Sequence, residues 1–314
     1  MSFSGEVKEE LSKHNSQSRH CQLAELAAIS SFCGQLVRQE DNTIAFMLST
    51  ENQVVVRKYF TLLKKTFNID TTSEEKLCSE IVKNSTYNIS LEDADLILKL
   101  FRAMKFIDGQ GVLHEIRGAV SPLIIKNSCC KRTFLRGAFL ANGSMSDPEK
   151  SYHLEIVCVD ESQAEQLKEL MQEFSLDAKI VHRKKYFVVY LKEGSNIVDF
   201  LNICEAHVSL MNFENLRIVK EMRNSINRRV NCEAANITKT VNASTKQIAD
   251  IMELKENYGF ENLSDNLRQM AEVRLENPDA SLQELGQYLN PPVGKSGVNH
   301  RLRKLGEIAN LNRN

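Results

Sequence analysis

The feature that most restricts how this chain can fold is a diverged internal repeat. Leu26-Ala-Ala-Ile-Ser-Ser-Phe-Cys-Gly34 and Leu135-Arg-Gly-Ala-Phe-Leu-Ala-Asn-Gly143 align at an offset of 109 residues and share their terminal glycine. Each is followed by a strand-like run, residues 43–48 in one copy and 152–159 in the other, and then by a helical one. Val56, Phe60, Leu63 and Phe67 recur at helical spacing in the first copy, and Leu167, Leu170, Met171 and Phe174 do so over residues 162–174 of the second. The short tails Phe67-Asn-Ile-Asp70 and Phe174-Ser-Leu-Asp177 align as well, and β-rich Thr86–Leu91 and Tyr186–Leu191 follow them. Each half therefore reads helix, strands, helix, strands.

The repeated helix is rich in small residues: Ala24, Ala27, Ala28 and Gly34 in one copy, Gly137, Ala138, Ala141 and Gly143 in the other. So little bulk on one face would let two such helices approach closely as a pseudo-twofold pair. The alternative is that each lies buried on its own sheet. With 314 residues, 42% of them apolar, the chain has material for about two cored domains, the second following the repeat.

That second part, 244–314, is punctuated as four helices. The first runs from a Ser244 N-cap through Ile248, Ile251 and Met252 to Gly259 as C-cap, and the second from Ser264 through Leu267, Met270, Ala271 and Leu275 to Asn277-Pro278. The third opens with a Ser281/Glu284 capping box and buries Leu282, Leu285 and Leu289. After Asn290-Pro-Pro-Val-Gly294 the fourth begins near Ser296, with Val298, Leu302, Leu305 and Ala309 inward. Its opposite face carries His300, Arg303 and Lys304, flanked by Asn299 and Arg301, while Lys295 and the free amides near Ser296 suit a phosphate. A short helix, a turn and a second helix with a basic outer face make a helix-turn-helix, whose second helix enters the major groove. Arginine and asparagine, as at Arg303 and Asn299, are the types that bond bidentately to guanine and adenine. The turn is longer than the usual three to four residues. A three-helix bundle used for protein contacts is the competing reading.

Residues 214–243 form a linker helix in which Met222, Ile226 and Val230 make an apolar stripe and Asn224, Asn227 and Asn231 a polar face, with Arg223, Arg228 and Arg229 as candidate phosphate contacts. The net charge is −1, so affinity for a polyanion must come from local patches. Residues 217–229 hold five basic side chains against Glu221, and residues 291–314 hold Lys295, Arg301, Arg303, Lys304 and Arg313 against Glu307. Smaller runs are Lys126/Lys131/Arg132/Arg136 and Lys179/His182/Arg183/Lys184/Lys185, of which Arg183, Lys184 and Lys185 are further candidates for phosphate. Each run also reads as an ordinary solvated face.

The two repeated segments resemble the LAGLIDADG motif of homing endonucleases, whose motif helices pack together beneath a saddle-shaped sheet surface over DNA. In active members of that family the residue before the terminal glycine is an acidic metal ligand; here those positions are Cys33 and Asn142. A thiol is mismatched to magnesium and an amide is a neutral, weak ligand, so no cleavage is expected. Asp41, Asp147 and Glu25 are the nearby carboxylates, none at the motif position.

Residues Met222-Arg-Asn-Ser-Ile-Asn-Arg-Arg-Val-Asn-Cys-Glu-Ala-Ala-Asn236, Lys239-Thr-Val-Asn-Ala243, Ser281-Leu-Gln-Glu-Leu-Gly286 and Gly294-Lys-Ser-Gly-Val-Asn-His-Arg-Leu-Arg303 resemble the WhiA family over nearly the whole chain. The resemblance implies an α+β fold with a two-repeat LAGLIDADG-like domain at 1–213 (repeats at about 1–105 and 126–213), a linker helix at 214–243 and an all-α helix-turn-helix domain at 244–314 (the motif itself at about 280–313). It further implies a bacterial transcription regulator, not an enzyme, linked to sporulation, cell division and chromosome segregation. Its partner would be double-stranded promoter DNA, and a sigma factor or division protein is a second candidate partner. A scaffold whose saddle binds protein and an active endonuclease are the alternatives; the net charge of −4 over residues 1–215 favours the scaffold for the first domain.

A cytoplasmic protein is expected, since the N-terminus is polar and no run of 18 apolar residues occurs, and the resemblance implies association with the nucleoid. Gly109-Gln-Gly111 is too short for a phosphate loop, so neither a cofactor nor a small-molecule ligand is expected. The eight cysteines (21, 33, 78, 129, 130, 158, 204, 232) contain no C-x-x-C pair and no Cys/His cluster at zinc-ligand spacing, so they read as reduced thiols and no metal site is expected. An internal repeat completes the saddle without a second subunit, so a monomer is expected.

Overall fold

A computed structural model describes residues 2–38, 44–68, 78–83 and 86–312. Asp41, Asp70 and Arg313, and the start of the strand expected at 43–48, lie outside the described residues. The chain divides into two compact units, Met1–Lys220 and Glu221–Asn314.

In the first unit α1 (Phe3–Lys13) precedes two copies of one pattern. The first copy runs α2 (Arg19–Cys33), β1 (Gly34–Arg38), β2 (Ile44–Thr50), α3 (Gln53–Phe67), β3 (Cys78–Lys83), β4 (Thr86–Leu91) and α4 (Ala94–Ala103). The second runs α5 (Ser128–Asn142), β5 (Gly143–Met145), β6 (Leu154–Cys158), α6 (Glu161–Glu173), β7 (Lys179–Arg183), β8 (Tyr186–Leu191) and α7 (Gly194–Ile203). Each copy builds an antiparallel four-stranded sheet, in the order β1-β2-β4-β3 and β5-β6-β8-β7. The motif glycines start equivalent strands, Gly34 opposite Leu48 and Gly143 opposite Ile156. Both have ordinary extended φ, −89° and −79°. Their requirement is space: a Cβ on Gly34 would lie 2.5 Å from the Phe46 ring, and one on Gly143 would lie 2.3 Å from Phe139.

The close helix pair expected from the small residues is present. A Cβ on Gly137 of α5 would stand 2.8 Å from Ala28 Cβ and 2.9 Å from Glu25 O of α2. Almost all of α2 is buried, and the pair contributes Leu26, Ile29, Leu135 and Phe139 to one core shared by the two sheets. Local punctuation explains the other helix boundaries. Asn52 caps α3 through Val54 N–H, Asp160 caps α6 through Ser162 and Gln163 N–H, and Asn68 ends α3 in the left-handed region (φ 51°).

The pair also holds buried charge. Arg136 of α5 grips Glu25 of α2 with Nε at 2.9 Å and a second guanidinium nitrogen at 3.2 Å, and Lys58 Nζ lies 3.2 Å from the same carboxylate. Arg136 also donates to Glu205 at 2.7 Å and meets His14 Nδ1 at 2.9 Å. Arg136 therefore leaves the basic run in which the sequence placed it. Its side chain is buried because its partner lies 111 residues away in the other repeat.

The helix α8 (His207–Asn257) carries the chain from the first unit into the second. The N-cap expected at Ser244 is not one. No proline or glycine interrupts 207–257, and Ser244 lies inside the helix with its hydroxyl donating to Pro278 O at 2.6 Å. The hydroxyls of Thr238, Thr240 and Thr245 bond back to carbonyls four residues earlier, which keeps them compatible with the helix. Every residue from 221 to 243 is exposed, so the stripe of Met222 (60%), Ile226 (59%) and Val230 (55%) packs against nothing within its own unit.

Candidate nucleic-acid interface

In the second unit the end of α8 packs with α9 (Asp265–Glu276), α10 (Leu282–Tyr288) and α11 (Lys295–Asn312). Ile251, Leu254, Met270, Ala271, Leu285, Leu289 and the expected stripe of Val298, Leu302, Leu305 and Ala309 form its core. The Gly259 amide closes α8 on Leu254 O at φ +78°, and Ser281 and Glu284 make the expected capping box. Ser264 stands at the N-cap of α9 without a side-chain bond.

The turn between α10 and α11 covers residues 289–294. Val293 N–H donates to Gly286 O at 2.9 Å, and a Cβ on Gly286 would come within 2.0 Å of Val293 O. Only a glycine lets the turn lie this close against α10, which compensates for its extra length. A Cβ on Gly297 would likewise stand 2.3 Å from Val293 Cγ1.

Lys295, Ser296, Asn299, His300, Arg303 and Lys304 are all exposed on α11, opposite its buried stripe. Arg303 Nε rests 3.3 Å from Glu307, an exposed pair that costs little to open. Arg301 is half-buried and reaches back to Asn266 O at 3.5 Å, which turns it away from the outer face. Lys295 and Asn299 also line a groove of about 370 Å³ with Lys239, Ser244, Gln247 and Arg274. Arg274 is a residue the sequence reading missed. It is buried, one guanidinium nitrogen donates to Ala280 O at 2.7 Å, and its Nε has no partner among the described residues. The available signal was an arginine set inside the apolar pattern of Met270, Ala271 and Leu275.

The earlier basic runs are dispersed. Arg217 pairs with Glu214, and Lys220 donates to Pro148 O and Lys150 O and lies over the Tyr152 ring. Arg223 and Arg228 are exposed on α8, as is Arg229, which pairs with Glu233 at 3.2 Å. At the β7–β8 hairpin Arg183 binds Glu155 at 3.0 Å and Lys185 lies over the Tyr186 ring, while Lys184 occupies the turn at φ 56°.

At the C-terminal ends of α2 and α5 the two motif positions meet, with Cys33 Sγ 3.7 Å from Asn142 Oδ1. The Asn142 amide donates to Phe32 O and Val157 O, and burial pushes the Cys33 thiol up to about 12. The charges that Cys33 feels are cations, Lys8 and Arg117, and Arg117 Nε donates to Gly34 O at 2.9 Å. Glu25 is buried and saturated by Arg136 and Lys58, so it is no displaced metal ligand. Asp147 is exposed and accepts the Glu149 amide.

Gly109-Gln-Gly111 lies in a turn organised by Asp108, whose carboxylate accepts the Val112 and Gln110 amides and is held below its ordinary value by them. Although the cysteines follow no zinc-ligand spacing along the chain, the fold gathers His20, Cys21, Cys129 and Cys130 into one cluster.

Comparison with known proteins places these features in a family. Residues 19–107 match the WhiA N-terminal LAGLIDADG-like domain, 131–223 the WhiA LAGLIDADG-like domain and 226–309 the WhiA C-terminal HTH domain. A probable cell division protein WhiA from Lachnoclostridium phytofermentans is 54% identical over 313 residues, covering 98% of both chains. One from Alkaliphilus oremlandii is 46% identical, covering 98% of this chain and 97% of its own. The crystal structure of full-length DUF199/WhiA from Thermatoga maritima superposes with a TM-score of 0.60 at 28% identity, covering 99% of this chain and 98% of that one. With two LAGLIDADG-like domains and a C-terminal helix-turn-helix matched between residues 19 and 309, and a relative 54% identical over 98% of the chain, the chain belongs to the WhiA family.

Proposed function

We propose that the chain is a non-enzymatic, sequence-specific DNA-binding transcription regulator. The observation that carries this reading is α11: its buried stripe is fully used in the core, and its outward side presents Lys295, Asn299, His300, Arg303 and Lys304 to solvent. Asn299 and Arg303 are suited to base edges in the major groove. Lys295, Ser296 and the free amides of the first turn suit a phosphate, with Lys239 and Arg274 along the adjoining groove. Arg223, Arg228 and Arg229 on α8, and Lys184 and Lys185 at the hairpin, add backbone contacts, whereas Arg183 contributes only by giving up Glu155.

Nuclease chemistry is disfavoured by what stands at the motif ends. Hard divalent cations are held by carboxylates, and here a protonated thiol, a carbonyl-bound amide and two nearby cations take that place. The relatives are named cell division proteins, and a role in promoter control of division or sporulation genes follows as part of the same reading. The protein would act in the cytoplasm, at the nucleoid.

A second reading concerns the first unit. On its first sheet, Gln35, Met47 and Ser90 lie side by side on the partly open face, an uncharged row. On the second sheet the matching face is mixed, with Lys179 and Arg183 beside Glu155 and the arginine paired to that carboxylate. The uncharged row of the first sheet suits a protein partner, such as a sigma factor or division protein, better than a phosphate backbone. The test is selection of genomic fragments by the full-length chain across a salt series, with a parallel incubation of plasmid in magnesium or manganese. Enrichment of a defined motif without nicking supports regulation; metal-dependent nicking supports the endonuclease, and no enrichment at any salt supports the scaffold.

A further inference from the structure

His20 Nδ1 lies 3.3 Å from Cys21 Sγ, 3.2 Å from Cys130 Sγ and 4.0 Å from Cys129 Sγ. All four donor atoms fall within 4.8 Å of one another. A tetrahedral zinc with Zn–S of about 2.3 Å and Zn–N of about 2.0–2.1 Å requires ligand–ligand edges of roughly 3.5–3.8 Å. The observed N···S separations bracket that value, so small side-chain rotations would bring the four atoms onto one ion.

The placement repeats the internal symmetry of the fold. His20 and Cys21 are the second and third residues of α2, and Cys129 and Cys130 are the second and third residues of α5. Each pair is therefore the counterpart of the other at the same 109-residue offset that relates Gly34 to Gly143. Neither Ser18 nor Asn127 caps its helix with a side-chain bond. The first turns of two helices thus lie beside the sulfurs, with their amides free of a side-chain cap. Cys21 and Cys130 are buried while His20 and Cys129 are exposed, which leaves a route for an ion to enter.

We infer that these four residues form a Cys3His zinc site that joins the two repeats at the N-terminal ends of α2 and α5. The donor set selects the metal. Three sulfurs and one imidazole, with no carboxylate in the cluster, suit a soft or borderline cation and not magnesium or calcium. On loading, each thiol gives up its proton to solvent as its sulfur binds zinc, and no electron is transferred. Binding zinc therefore releases protons, so loading is favoured as pH rises. Three thiolates and one divalent ion leave a single net negative charge, beside Arg19, Lys131 and Arg132 in the chain. A zinc ion here would complete a ladder of cross-repeat links along one helix pair, with Glu25–Arg136 in the middle and Cys33–Asn142 at the far end.

The test uses full-length protein purified under reducing conditions without a metal-chelating tag. Elemental analysis should find about one zinc per chain. Replacement by Co2+ should give the intense visible bands of a tetrahedral site together with thiolate-to-cobalt charge transfer. Cys21→Ser and Cys130→Ser should each lower metal content at least about ten-fold, whereas Cys232→Ser, at an exposed cysteine of α8, should leave it unchanged. His20→Cys, which keeps four soft ligands, should retain the metal, so the inference stays testable if a serine variant fails to fold. A zinc-free protein that takes up neither Zn2+ nor Co2+ overturns the inference. So does a six-coordinate cobalt spectrum, metal retained by all of the serine variants, or a disulfide among these cysteines in the reduced preparation.

Discussion

Removing Glu25 should destabilise the first unit more than removing its partner Arg136, although the two share one ion pair. Glu25 receives two bonds from Arg136, at 2.9 and 3.2 Å, and a third contact from Lys58 at 3.2 Å, and all three side chains are essentially inaccessible. At about 3 Å and an effective dielectric of about 20, each attraction is worth roughly 5 kcal/mol before desolvation is subtracted. Glu25→Met leaves two buried cations facing each other. Arg136 retains Glu205 at 2.7 Å, but Lys58 keeps only His14 O and the Asn15 side chain. The expected loss is about 3–5 kcal/mol. It is limited because burial already lowers the Lys58 ammonium below its ordinary value, so Lys58 can shed its proton. Arg136→Met leaves Glu25 paired with Lys58 and should cost only about 1–3 kcal/mol. The double variant should cost less than the sum of the two, by about 0.5–3 kcal/mol. Because the chain has two units and no tryptophan, the assay is hydrogen exchange of α2 and α5 peptides in urea, read by mass spectrometry. Equal costs for the two single variants, or strict additivity in the double, would refute the reasoning.

Three further outcomes follow from particular residues. Gly286→Ala places a Cβ 2.0 Å from Val293 O, so calorimetry should show the second unit weakened by about 1–3 kcal/mol, with the first unit unchanged. Arg303→Ala should cost about 1–3 kcal/mol and relax preference at one base pair, whereas Lys295→Ala should weaken all sequences alike and lower the salt slope by about 1; titration against a panel of sites separates the two. Burial, followed by the Arg136 guanidinium, holds His14 below the ordinary histidine value. The unfolded chain therefore binds that proton first, so the contribution is present above pH of about 6.5 and is lost as pH falls through the folded value. Urea midpoints at pH 7.5 and 5 should differ less in His14→Gln than in the parent; an equal difference would count against the assignment.

What was legible in the sequence is what depends on nearby residues. The spacing of Val298, Leu302, Leu305 and Ala309, the Ser281/Glu284 box and the helix Gln53–Phe67 are local, and the structure has each of them. The helix pair was legible because Gly137 and Ala28 are both small, which one sequence shows without a contact map. What was not legible depends on partners far along the chain. Arg136 looked like part of a basic run until Glu25 was brought to it, and the cysteines looked scattered because their spacing is the length of a repeat. Ser244 misled because serine is an N-cap type, yet nothing before it breaks the helix. Arg274 was hidden in an apolar pattern that its own aliphatic stem helps to complete.

The most direct test of the central claim compares the full-length parent with a Lys295→Ala/Asn299→Ala/Arg303→Ala/Lys304→Ala variant, by binding to fragmented genomic DNA from low to physiological salt. These exposed substitutions leave the buried stripe of α11 intact. The account requires the parent to enrich a defined sequence with strongly salt-dependent affinity, and the variant to lose that selectivity while keeping its melting transition. Equal selection by both proteins, or none by the parent at any salt, would contradict it.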